Sequence, residues 1–131
     1  MNLHLSQSDG FLRVAAASPR IRVADVEGNA EVALAAVREA TERGVRVLVL
    51  PELNLTGYTA ADLFHNRTLL HACETALAHI LDEPRELPIV FTIGLPVAVA
   101  ENIYNCAAVC CAGELLGLTA KKYLPQLWRV L

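Results

Sequence analysis

The chain has 131 residues, of which 54% are hydrophobic, and a formal net charge of −3 at pH 7. This length suits one domain with a sizeable core. No stretch approaches the roughly 18 to 20 continuous apolar residues of a membrane span, and the eleven Lys and Arg residues are scattered. The composition therefore predicts neither a membrane nor a nucleic acid as partner. The apolar excess predicts buried strands or a surface that binds a partner.

The first ten residues, MNLHLSQSDG, contain no Lys or Arg and no long apolar segment. They do not have the pattern of a signal or transit peptide, so we predict a cytoplasmic location. In that reducing compartment the cysteines are expected to be free thiols. Cys73, Cys106, Cys110 and Cys111 do not have the spacing of paired metal-binding motifs, and the sequence predicts no metal site.

The amino-terminal part of the chain predicts a strand, a helix and a second strand in succession. The first strand spans residues 11–17, and the helix spans 30–43 with Asn29 as its N-cap. The second strand is the apolar run at 47–50. This order is the signature of a βαβ unit with a right-handed crossover, so the sequence predicts an α/β fold class.

Further along, a helical turn is predicted at 62–64, before a longer helix that reaches about residue 81. Asn66 or Thr68 can cap this helix, and Cys73 lies on its apolar stripe. A third strand is predicted at 89–95, where Gly94 and Pro96 end it.

A β-hairpin is predicted after a loop at 97–101. Its outgoing strand, 103–112, is apolar on both alternate faces, so we expect both faces to be covered. Gly113 and Glu114 form the predicted turn, and the returning strand spans 115–119. Three cysteines on the outgoing strand are expected to be small core residues.

Two charged residues follow predicted strands. Glu52 lies directly after the run at 47–50, where Pro51 ends the strand and Gly57 permits a turn. Ligands of open α/β sheets bind at the carboxyl ends of strands, so Glu52 is a candidate base. Lys121 follows the returning strand of the hairpin. By position alone, a charged residue after a strand is more often a solvated charge than a catalytic group.

The residues around these charges carry a family resemblance. The octapeptide PELNLTGY at 51–58 resembles the first catalytic motif of the nitrilase, or carbon–nitrogen hydrolase, superfamily. The segments DLF at 62–64, YNC at 104–106 and KKYLP at 121–125 resemble the glutamine-hydrolysing domain of glutamine-dependent NAD synthetases. The resemblance extends from about residue 11 to residue 125.

The resemblance implies a fold, a reaction and site residues. The fold is a partial nitrilase-type α-β-β-α sandwich, and the reaction is hydrolysis of the glutamine side-chain amide. Glu52 takes the position of the general base, and Lys121 that of the group stabilising the oxyanion, with Lys122 as the alternative. Tyr58 matches a position that lines the glutamine pocket. In the family the released ammonia serves a ligase domain, which uses ATP and Mg to make NAD from its deamido precursor.

The resemblance also implies that part of the enzyme is missing. The nucleophilic cysteine of the family lies further along than this chain extends, and residues 126–131 depart from the family pattern. We therefore expect residues 1–131 to be an incomplete carbon–nitrogen hydrolase (glutamine amidotransferase) domain that lacks the ligase domain and is inactive alone. Its expected partners are glutamine, the missing remainder or a homo-oligomer. The alternatives are half of a split enzyme, another nitrilase-branch amidase and a non-catalytic interaction module.

Overall fold

Residues 10–123 are described by the computed structural model, and they form a mixed sheet with helices on one face. The elements in chain order are β1 (Val14–Ala16), α1 (Val26–Glu42), β2 (Val47–Val49), a 3-10 helix (Tyr58–His65), α2 (Arg67–Asp82), β3 (Val90–Val99), β4 (Asn102–Cys111) and β5 (Glu114–Ala120). The five strands lie side by side in sequence order. The first three are parallel, and β4 and β5 each run antiparallel to the preceding strand. The predicted α/β class is confirmed. The predicted features of the first nine residues, of Leu124 and Pro125, and of the 126–131 tail lie outside the described residues.

Helix α1 begins earlier than the sequence predicted. Asp25 is its N-cap, because the Asp25 carboxylate accepts a hydrogen bond from the backbone N–H of Gly28 at 3.1 Å. Asn29, the predicted cap, instead lies inside the helix with 2% of its surface exposed. Its side-chain amide donates to the carbonyl oxygen of Leu55 at 2.9 Å. Both residue types are good caps, and here Asn29 ties α1 to the loop after β2.

Helix α2 agrees more closely with its prediction. Asn66 caps it by accepting a hydrogen bond from the backbone N–H of Thr68 at 2.8 Å, so the first of the two predicted caps is confirmed. The fully buried Cys73 lies on its apolar stripe. The helical turn predicted at 62–64 is part of the longer 3-10 helix.

Strand β3 does not end at Gly94 or Pro96, and the predicted loop at 97–101 is wrong. The strand pairs with β4 without interruption from Val90 to Val99. The N–H of Gly94 points toward the β2 side, where the Asn54 side chain accepts it. The nitrogen of Pro96, two residues further along, faces the same side of β3 and carries no hydrogen. Because β2 has already ended there, the strand can continue through the proline.

The hairpin between β4 and β5 turns one residue earlier than predicted. Ala112 and Gly113 occupy the turn, with φ angles of 48° and 83°. Two positive φ angles are typical of the tight turns whose twist suits a hairpin. The last pair of the ladder is accordingly Cys111 with Glu114.

The two faces of the sheet differ in their cover. Both helices pack on one face, and its inward residues are almost completely buried: Leu48, Phe91, Ile93, Leu95, Ala108 and Cys110. We call the opposite side the open face; it includes Val14, Val49, Thr92, Ala107, Val109 and Thr119. Val14 and Val49 are 63% and 49% exposed. The expectation that β4 is covered on both faces is therefore wrong for the described residues, which contain one helical layer and one sheet of the sandwich.

Within residues 10–123, no helix combines the length and apolarity that crossing a membrane requires.

The opposite environments of two neighbouring β2 residues give a test of this arrangement. We expect Leu48→Ala to lower the free energy of unfolding by about 2–5 kcal/mol, because it leaves a cavity beneath the helices. Val49→Ala should cost less than about 1 kcal/mol, since half of that side chain is already in contact with water. Chemical denaturation of both variants measures the difference, and equal losses would contradict the assignment of the faces.

A close backbone contact joins β3 to the loop after β2. A Cβ atom added at Gly94 would lie 2.4 Å from the backbone nitrogen of Leu53 and 2.6 Å from the carbonyl oxygen of Pro51. Both are main-chain atoms, so a side chain at this position requires the loop to move. Gly117 in β5 has no atom within 4 Å of the equivalent point.

These two glycines form a matched pair for mutation. We expect Gly94→Ala to destabilise the chain by about 1–3 kcal/mol or more, because overpacking forces the backbone to shift. Gly117→Ala should change stability by no more than about 0.5 kcal/mol. Thermal and chemical unfolding of both variants provide the measurement, and a Gly94→Ala chain as stable as the parent would refute the close contact.

Candidate active site

Glu52 lies in a loop that is attached to β3 along its length. Leu53, the next residue, is fully buried and has a left-handed φ of 52°. Asn54 accepts the backbone N–H of Gly94 at 2.7 Å through its side-chain oxygen. The backbone N–H of Leu55 donates to the carbonyl oxygen of Gly94 at 3.1 Å. These contacts hold Glu52 at the carboxyl edge of β2, as the sequence predicted.

Lys121 reaches the same edge of the sheet by a different route. Two antiparallel pairings follow β3, so β5 runs in the same direction as β2 and β3. Lys121 directly follows the last residue of β5, and its backbone N–H donates to the carbonyl oxygen of Asn105 at 2.8 Å. The carboxyl ends of β2 and β5 therefore present Glu52 and Lys121 at one edge.

A β-bulge in β5 determines the face on which Lys121 lies. Cys110 is opposite Leu115, whereas Val109 is opposite Gly117, so Leu116 is an extra residue in the ladder. A one-residue shift of register moves every later side chain to the other face of a sheet. Without the extra residue, Lys121 would point to the helix side. With it, Lys121 is on the open face.

Three side chains meet at this edge. The Nζ atom of Lys121 lies 2.9 Å from Oε1 and 3.0 Å from Oε2 of Glu52. The Nδ2 atom of Asn105 donates to Oε1 at 2.5 Å. The side chains of Lys121 and Glu52 are 36% and 38% exposed, whereas Asn105 is buried. The sequence-based prediction includes Asn105 only as part of the YNC segment and gives it no role at the site.

A cavity of about 340 Å³ adjoins these groups, lined by the ends of β2, β3, β4 and β5. Val49, Thr92 and Ala107 line it together with Glu52, so it opens on the open face. Most of its walls are small or apolar residues. In the described part of the chain, no group of three or more His, Cys, Asp or Glu side chains is arranged so that it could hold a metal ion. The arrangement offers a carboxylate base beside a fixed positive charge, which suits proton transfer coupled to stabilisation of an anion.

All four cysteines of the chain lie within residues 10–123 and are free thiols. Burial, reinforced by the Glu74 carboxylate, raises the pKa of Cys73 to about 12. Burial, followed by the influence of Cys111, raises the pKa of Cys110 to about 11. A raised pKa disfavours the thiolate, which is the nucleophilic form. These two residues are core residues, as predicted.

Cys106 is the one cysteine that lines the cavity. It pairs with Ala120 and alternates with Asn105 along β4, so its side chain is on the helix side. It is 7% exposed, and burial raises the pKa of its thiol. Cys106 therefore has the environment of a core residue rather than that of an activated nucleophile.

The other two residues named from the sequence, Tyr58 and Lys122, are not among those that line the cavity. Tyr58 begins the 3-10 helix, is 46% exposed and is not among the residues that line the cavity. The Nζ atom of Lys122 lies 5.7 Å from the centre of the Tyr123 ring. Of the two adjacent lysines, Lys121 is the one that contacts Glu52.

The chain is similar to several known proteins in sequence and in fold. The sequence model of the carbon–nitrogen hydrolase family matches residues 13–129. The glutamine-dependent NAD(+) synthetase of Mycobacterium tuberculosis is 36% identical over 125 residues, which are 95% of this chain but 18% of that protein. The crystal structure of a glutamine-dependent NAD(+) synthetase from Cytophaga hutchinsonii superposes with a TM-score of 0.82 at 31% identity, over 87% of this chain and 19% of that one.

A more distant structure shares the fold. An amidase from Nesterenkonia sp. matches with a TM-score of 0.72 at 24% identity, over 89% of this chain and 46% of that one. The chain thus spans about a fifth of the length of the curated synthetases that it matches. Because the family's sequence model extends over most of its residues, the chain belongs to the carbon–nitrogen hydrolase family.

Proposed function

We propose that this chain supplies the general base and the oxyanion-stabilising cation of a glutaminase site in a glutamine-dependent NAD synthetase. One observation carries the proposal. Lys121 contacts both carboxylate oxygens of Glu52 at the wall of a cavity that has room for a small substrate. The similarity to NAD(+) synthetases favours the glutamine amide over other amides as the substrate.

In the proposed reaction, Glu52 accepts the proton of an attacking thiol as the sulfur bonds to the amide carbon of glutamine. The carbonyl oxygen becomes an oxyanion, and the positive charge of Lys121 stabilises it. Glu52 then returns the proton to the departing nitrogen, so ammonia leaves and a thioester remains. Glu52 next takes a proton from water, whose oxygen attacks the thioester. Glutamate is released, and the thiol recovers its proton.

We place the attacking thiol outside this chain. Cys73, Cys106 and Cys110 lie on the helix side of the sheet and have raised pKa values. Cys111 is the last residue of β4, next to the hairpin turn, and lies further along the strand than Asn105, which is at the site. The open face leaves room for a further segment that carries the thiol to the cavity. A ligase part that uses ATP and Mg, in a cytoplasmic enzyme, would consume the ammonia to make NAD from deamido-NAD.

The open face also favours a second arrangement with the same chemistry. The thiol-bearing segment can belong to a separate chain that covers Val14 and Val49, which are exposed here. This would make the protein half of a split enzyme. Gel filtration of the two chains together distinguishes the arrangements, because only the split enzyme elutes as a complex of two gene products.

The first functional prediction concerns the chain on its own. We expect the purified 131-residue protein to release no more glutamate from glutamine than its Glu52→Ala variant does. The reason is that a base and a cation without the nucleophile lose most of the rate of a cooperating catalytic set. Coupled glutamate detection provides the measurement. A clear excess in the parent chain would place a working nucleophile within it.

A hybrid enzyme tests the roles of the two charged residues. In it, this chain replaces the aligned segment of the mycobacterial synthetase. With glutamine as nitrogen donor, we expect Glu52→Gln to lower the rate of NAD synthesis by about 10²- to 10⁴-fold, because the proton acceptor is lost. Lys121→Met should lower it by about 10²- to 10³-fold, because the oxyanion loses its stabilising charge.

Free ammonia provides the control for folding in the same hybrid. Ammonia bypasses the glutaminase site, so all variants should make NAD from it at the parent rate. Lys122→Met is the matched control for Lys121→Met, because the neighbouring lysine does not contact Glu52. Glutamine-driven synthesis that survives Glu52→Gln, or that falls equally with Lys122→Met, would argue against the assigned roles.

A further inference from the structure

We propose that Asn105 is a positioning residue for the general base, and that it makes Oε2 of Glu52 the oxygen that exchanges the proton. The proposal rests on the proposed function of Glu52 and extends it. The contact that supports it is the hydrogen bond from Nδ2 of Asn105 to Oε1 of Glu52 at 2.5 Å. Hydrogen bonds to an ionised acceptor are short and roughly twice as strong as neutral ones.

Asn105 connects both sides of the site. Its side chain holds Glu52, which follows β2, while its carbonyl oxygen accepts the backbone N–H of Lys121, which follows β5. It is 8% exposed, so its amide has few alternatives in water. A change at Asn105 therefore affects the orientation of the base directly, and the backbone contact to Lys121 persists because it does not involve the side chain.

The two carboxylate oxygens of Glu52 are not equivalent. Oε1 accepts hydrogen bonds from both Asn105 and Lys121, whereas Oε2 accepts one, from Lys121. Each carboxylate oxygen has about two lone-pair sites. Oε1 is therefore saturated, and Oε2 retains a site for an incoming proton. The Asn105 amide thereby fixes which oxygen faces the thiol.

The residue type also fits this role. An amide nitrogen donates a hydrogen bond but does not take up a proton under these conditions, so Asn105 cannot compete with Glu52 as the base. Aspartate at this position would place a second negative charge against Glu52 and repel it. Leucine has a branched side chain with the same number of heavy atoms and no donor, so it removes the hydrogen bond, although its methyl groups take more room than the amide.

The hydrogen bond itself can be tested in the 131-residue chain by NMR. We expect one side-chain amide proton of Asn105 to resonate downfield of ordinary asparagine amides, and to move upfield in Glu52→Gln, where the charged acceptor is lost. Glu101→Gln, which changes an exposed carboxylate in the β3–β4 turn, should leave that proton unchanged. An Asn105 amide that does not respond to Glu52→Gln would overturn the proposal.

The kinetic consequence can be tested in the hybrid enzyme. We expect Asn105→Leu to lower the glutamine-driven kcat by about 10- to 100-fold, by analogy with the loss of a hydrogen-bonding partner from a metal-binding side chain. The KM for glutamine should stay within about twofold, because Asn105 orients the base rather than the substrate. Asn105→Asp should be slower still. Asn102→Leu, an exposed position at the start of the same strand, is the control and should retain the parent rate.

The possible outcomes distinguish a failure of the proposed glutaminase function from a failure of the positioning role of Asn105. A parent hybrid that uses ammonia but not glutamine would contradict the proposed function. Full glutamine-driven kcat in Asn105→Leu, beside an inactive Glu52→Gln, would contradict only the positioning role. A loss of ammonia-driven synthesis in Asn105→Leu would show a structural defect and would also contradict it.

Discussion

The contact between Lys121 and Glu52 depends on a one-residue shift in the pairing of β4 with β5. Up to Leu115 the register follows from the tight turn, and from Gly117 onward it is offset by the extra Leu116. The faces of a strand alternate residue by residue, so this single insertion decides whether Lys121 points to the helices or to Glu52. Bulges at sheet edges often redirect a side chain in this way. The cation of the site is thus positioned by the backbone of an edge strand.

Glu52 is held by a different kind of constraint. The loop that carries it lies against β3 so closely that only glycine fits at position 94. The Asn54 side chain and the Leu55 backbone continue the hydrogen bonding of the sheet past the end of β2. Main-chain contacts of this kind leave little freedom at the Cα atom of Glu52. Asn105 then fixes the carboxylate at the other end of the side chain, so backbone and head group are both restrained.

Local patterns in the sequence predicted the order of strands and helices, the cap at Asn66 and the strand exit at Glu52. These patterns gave wrong or missing predictions where a hydrogen bond or strand pairing with a residue distant in sequence determines the local structure. Asn29 is a good local cap, yet its amide serves the distant carbonyl of Leu55. Pro96 signals the end of a strand, but its nitrogen, which carries no hydrogen, faces the side of β3 on which β2 has already ended. The bulge at Leu116 and the contact of Asn105 with Glu52 depend on pairings between strands, which no single window of sequence contains.

Because the Glu52–Lys121 pair lies on the open face, the strength of its electrostatic interactions depends on whether another segment covers that face. In the described residues the Glu52–Lys121 pair is more than one-third exposed, so water screens its charges. The same pair acts far more strongly on a developing oxyanion once water is excluded and the local dielectric falls. A segment that covers Val14 and Val49 removes apolar surface from water, which is favourable by itself. Because Val49 also lines the cavity, such a segment would cover the cavity beside Glu52 as well. The free energy that completes the sandwich would thereby create the water-poor environment that the proposed amide hydrolysis requires.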